Sequence, residues 1–106
     1  MTTDWTPTTP EEVEALLTGE MDRLHPMHRD RFQVMRVPFR TVPVAAQPGE
    51  SVVVVAEHAG KILYWSDVEG GWELELPTSE GGIEDRGCSQ LDLSHIMWQV
   101  FGDPGH

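Results

Sequence analysis

The chain is short of positive charge, nearly devoid of cysteine and without a long apolar run. Seven lysines and arginines stand against 18 aspartates and glutamates in 106 residues, a formal net charge of −11. Phosphate binding needs a basic face, so this shortage argues against a nucleic-acid partner and against an anionic membrane surface. The lone cysteine, Cys88, excludes an intrachain disulfide and fits a reducing compartment. The longest apolar run, Val52–Ala56, is far below the length that spans a bilayer. "MTTDWTPTTP" at the N-terminus has neither the basic nor the apolar region of a signal peptide. A cytoplasmic protein is expected. No nucleophile elbow, phosphate loop or dinucleotide fingerprint is present, so neither an enzyme nor a cofactor is expected.

What remains is enough for one core and too little for two. The charge is unevenly placed. Residues 1–22 carry six acids and no base, 23–40 carry five arginines and one acid, and 41–106 carry eleven acids and two bases. The middle segment can pair internally with acidic neighbours, leaving the second half strongly negative. Such a surface favours solubility, or fast electrostatic capture of a basic protein.

After a flexible lead at 1–9, Thr9, Pro10 and Glu12 form a capping-box start. Val13, Leu16, Leu17, Met21 and Leu24 then share one face of a helix over 10–24, which Pro26 ends. "MHRDRFQVMRV", within 27–37, reads equally as a short helix or a strand. "FRTVPVAA" at 39–46 alternates and holds Pro43, which marks an edge strand. "SVVVVAEH" is a central strand, and "HAGK" a tight hairpin turn. "KILYWSD" and "WELELP" follow across an "EGG" turn. Residues 77–88 read as an exposed, glycine-rich loop. Ser89 and Asp92 suggest another capping box, before a helix striped by Leu93, Ile96, Met97, Val100 and Phe101. Trp98 lies at the edge of that stripe, as a partly buried aromatic.

This order predicts a two-layer α+β domain over 10–102, with a flexible tail at 103–106. An antiparallel four-stranded meander is flanked by an N-terminal helix, or two, and a C-terminal helix. Strand parity puts Trp72, Leu74 and Leu76 toward the helices, and Glu73 and Glu75 toward water on the open side.

The most concentrated feature is "YWSDVEGGWELEL", where Asp67, Glu69, Glu73 and Glu75 accompany Trp65 and Trp72. A solvated sheet face accounts for the carboxylates. A protein-binding face accounts for them together with Trp65, which cannot share a core side with Tyr64. An apolar anchor inside a charged rim is the anatomy of a binding hot spot. Trp65, Asp67, Glu69, Trp72, Glu73 and Glu75 are therefore the candidate partner-binding residues. Other chemistry is thinner. Ser94 and His95 are adjacent on a helix and diverge, while Cys88 with His95 would need an orienting base. His25 and His28 have chelating spacing, but no Cys/His pair elsewhere completes a metal set.

The stretch "VVVVAEHAGKILYWSDVEGGWELE", with "GGI" and "CSQLDLSHIMW", resembles small bacterial proteins that pair a "VVAE…G…YYxDVEEGW/F" hairpin with an "xxQxxLxxAL" final helix. These are similar in size and charge to immunity proteins of bacterial polymorphic toxin systems. The resemblance covers about residues 50–101, and "HIMW" departs from its small-residue helix pattern. It implies a non-catalytic module that neutralises a basic, secreted toxin, with Trp65 or Trp72 as apolar anchor. The rival readings are a self-associating adaptor, dimerising through the edge strand at 39–46, and a small enzyme using Cys88, His95 and the 77–88 loop.

Overall fold

A computed structural model describes residues 9–47, 49–66, 70–84 and 91–102. Residues 1–8 of the expected lead at 1–9, the tail at 103–106 and Cys88 lie outside them. Helices α1 (Pro10–Met21) and α2 (Pro26–Met35) precede strands β1 (Arg36–Pro43), β2 (Ser51–His58), β3 (Lys61–Ser66) and β4 (Gly71–Glu75), and α3 (Leu93–Phe101) follows. The strands form one antiparallel sheet in the order β1-β2-β3-β4. This is the expected α+β fold.

Local chemistry sets the helix limits. Thr9 and Glu12 exchange reciprocal hydrogen bonds at the start of α1. That helix stops at Met21 rather than at 24. Arg29 donates to the carbonyls of Met21, Asp22 and Leu24, closing the end of α1 from outside. Pro26 does not end α1 but occupies the first turn of α2. His25 caps α2 by accepting the Met27 N–H at Nδ1. The ambiguous 27–37 segment is thus largely helix, passing directly into β1. At α3 the cap is Asp92 itself, whose carboxylate accepts the His95 N–H at 2.9 Å. Ser89, expected to cap, lies outside the described residues.

The two-residue turn between β2 and β3 places Ala59 at φ 53° and Gly60 at φ 82°. Positive φ at both central positions is the type I′ geometry that matches strand twist. A register shift between Val54 and Ala56 sets two β2 residues against Leu63. Consequently Val53, Val55 and Ala56 all join the core beneath the helices, while Val52 and Val54 point to the opposite face.

The helix-covered core contains Leu17, Phe32, Leu63, Trp72, Leu93 and Met97, among others. The other face is not open. Val42, Val44, Val52, Val54, Ile62 and Tyr64 form a second buried cluster, completed by Ile83. The chain leaving β4 crosses under the sheet and reaches the β1 side. There Val44 and Ile83 form a parallel bridge. Ala45 and Ala46 donate to the carbonyls of Ile83 and Glu84 at 2.8 Å, and Ile83 donates to Pro43 at 3.0 Å. Gly82 is required where this strap passes: a Cβ there would collide with the Pro43 carbonyl oxygen.

Two expectations change as a result. The described part of the expected 77–88 loop is exposed at Pro77, Ser79, Glu80, Gly81 and Glu84, but it is also a strap, with Gly82 and Ile83 buried. The 39–46 edge proposed for dimerisation is already paired within the chain over Pro43–Ala46. Both surprises come from backbone pairing anchored by one apolar side chain in a polar stretch.

Candidate partner-binding site

Trp65 and Trp72, directly paired across β3 and β4, meet edge to face with centroids 5.0 Å apart and planes at 66°. Both belong to the helix side. Trp72 is wholly buried and Trp65 partly so. Glu73 and Glu75 project to the other face. Glu73 is 8% exposed, and Glu75 accepts a 2.7 Å hydrogen bond from the Tyr64 hydroxyl. Trp65 is therefore not ringed by Glu73 and Glu75; the sheet separates them. The strap buries Tyr64 on the second face, which satisfies the parity constraint that had pushed an aromatic outward. Asp67 and Glu69 lie outside the described residues.

What the hairpin does create is one wall of a cleft of about 430 Å³. Trp65, Gly70 and Trp72 face Ala15, Leu16 and Gly19 of α1 across it, and Leu91, Asp92 and Ser94 close one end. Ala15 and Gly19 are one helical turn apart, so small side chains leave a depression in α1. Nothing lies within 4 Å of a Cβ built on Gly19, and its φ is not positive. No backbone constraint therefore demands a glycine in a helix that glycine weakens by about 0.5–1 kcal/mol. Leu16 is 39% exposed at the same wall.

The charged groups of the cleft are tied to the start of α3. Glu20 Oε1 accepts the Leu93 N–H at 3.1 Å, and Oε2 accepts from Arg23 Nη1, also at 3.1 Å. The Glu20 side chain is 16% exposed, whereas that of Arg23 is 77% exposed. Asp92 Oδ1 accepts from the His95 N–H and the Ser94 hydroxyl. Those two bonds, the backbone one foremost, hold its carboxyl below the usual range. Sequence reasoning missed Glu20 and Arg23 here. The signal that could have found the cleft was a glycine inside a helix, one turn after Ala15.

The remaining candidates are positioned for structural work. The Ser94 hydroxyl points its proton at Asp92, and His95 contributes a backbone N–H there. His25 caps α2, and buried His28 donates from Nε2 to the Gly102 carbonyl at 2.9 Å. Among the described residues no group of three or more His, Cys, Asp or Glu side chains could hold a metal. Trp98, expected to be partly buried, is 52% exposed and meets the edge of His28, with centroids 6.3 Å apart.

No described helix is long and apolar enough to cross a membrane. No family model matches the chain, and no curated protein or solved structure matches it.

Proposed function

We propose that this protein is a non-catalytic acidic binding module, an immunity protein that neutralises a basic bacterial toxin in the cytoplasm. One observation supports this most: the arginines of residues 23–40 are used within the chain. Arg23 and Arg40 pair with Glu20 and Glu57, and Arg29 binds carbonyls of the α1 end. Arg31 and Arg36 lie over the rings of Phe101 and Phe39. Glu11, Glu12 and Glu14 of α1 are meanwhile exposed, beside the cleft that holds the partly buried Trp65. Asp22, Asp30, Glu80 and Glu84 are exposed as well, in a chain of formal net charge −11. A toxin that acts on nucleic acid carries a basic phosphate-binding surface. An acidic module is steered to such a surface and blocks it.

The test is capture of tagged protein with its partners from the native bacterium at low and moderate salt, identified by mass spectrometry. The captured protein is then expressed with and without this chain. The expected result is a basic protein, released as salt rises, whose toxicity is relieved by co-expression. Recovery of the bait alone, or a partner whose activity is unchanged, overturns the reading.

A further inference from the structure

We propose that the cleft between α1 and the start of α3 receives an arginine side chain of the partner, and that Arg23 is its internal placeholder. This rests on the acidic-module reading and gives that module an anchoring contact. Guanidinium groups favour aromatic surfaces and carboxylates together. The cleft supplies Trp65 and Leu16 as apolar walls, with Glu20 and Asp92 as carboxylates. Glu20 Oε1 is fixed by the Leu93 N–H, which leaves Oε2 as the atom that binds a guanidinium. Arg23 now sits there through a single 3.1 Å bond, with its side chain 77% exposed. Exposed ion pairs of this kind are weak, so exchange for an incoming arginine costs little.

Two further features fit an occupant that arrives as a peptide. Gly19 leaves open space at the cleft wall where a side chain would otherwise stand. Trp72 also lines the cleft, and its buried Nε1–H has no acceptor among the described residues. A guanidinium offers no acceptor, but the peptide that carries it brings carbonyl oxygens. Trp65, which is only partly buried, is the ring that must move to admit one.

The probe is a capped tri-arginine peptide, titrated at low salt and followed by amide and indole N–H signals in two-dimensional NMR. A capped tri-citrulline peptide is the uncharged control. The Trp65 and Trp72 indole signals are expected to shift with tri-arginine only. Arg23→Ala should tighten binding about two- to fivefold by removing the competitor. Glu20→Gln keeps an oxygen for Leu93 while losing the charge, and should weaken binding. Gly19→Leu should strengthen the helix yet abolish the indole shifts by filling the space, an outcome no general loss of folding can imitate. Shifts confined to Glu11–Glu14 overturn the cleft and leave the acidic-module reading standing. Unchanged affinity in Arg23→Ala overturns the placeholder role. No shift with either peptide overturns the inference, while toxin neutralisation judges the module separately.

Discussion

The two faces of the sheet are buried by different means. One lies under three helices, which share Phe32, Trp72, Leu93 and Met97 in a continuous core. The other lies under a strap whose only member in the second buried cluster is Ile83. The helix side has many mutually supporting contacts, and the strap side concentrates its closure in Ile83, the tight passage at Gly82 and three backbone bonds to Pro43, Ala45 and Ala46. The same sheet therefore carries a redundant face and a single-fastener face. The candidate site opens on the redundant side, where binding can draw on rigid walls.

Substituting the fastener should have the largest effect. Ile83→Ala is expected to cost about 2–5 kcal/mol in denaturant unfolding, as buried aliphatic truncations do. Amide protection at Ala45 and Ala46 should fall while that of Leu17 persists; uniform loss would show that both faces open together. Gly82→Ala comes next, at about 1–3 kcal/mol, because its Cβ meets backbone rather than a movable side chain. A neutral result would mean the strap passes β1 less closely than described.

Smaller effects sharpen the contrast from the helix side. Asp92→Ala removes the α3 cap and should cost about 1 kcal/mol at neutral pH. The folded Asp92 carboxyl lies below its ordinary 3.8, so its charged form favours the fold. Its contribution is complete well above that value and is lost as pH falls through the depressed one. The stability gap between wild type and Asp92→Ala should accordingly narrow on acidification below about pH 4; a constant gap would assign the effect to neutral hydrogen bonding. Ala59→Asn should be the mildest change, stabilising by roughly 0.5–1 kcal/mol, because asparagine tolerates the left-handed backbone better than alanine. Thermal melts decide its sign.

Much of the fold was legible because it is written in side-chain periodicity. Alternation in "WELEL" correctly separates Trp72 and Leu74 from Glu73 and Glu75, and the valine run marks a central strand. The strap was illegible because its pairing is made by backbone atoms. Its composition is that of a solvent loop, with Ile83 alone to betray it. The helical identity of α2 hid behind His25, a residue not usually read as a cap. For the candidate site, the hairpin tryptophans were visible as a feature, but their setting was not. Parity showed that Trp65 and Tyr64 occupy opposite faces; only the strap explains how both faces became interior. Glu20 and Arg23 escaped notice because an acid three residues before an arginine reads as an ordinary helix-surface pair.

The strap also has a kinetic meaning. The β2–β3 and β3–β4 hairpins join residues close in sequence, whereas Val44 must wait for Ile83, delivered from beyond β4. Contacts distant along the chain carry a larger closure cost and form after local ones. A strap fastened after the hairpins, on the native side of the folding barrier, gives a kinetic prediction. Weakening it should accelerate unfolding far more than it slows refolding. The time that Val42, Val52 and Val54 stay hidden from other chains would then depend on how firmly one isoleucine holds.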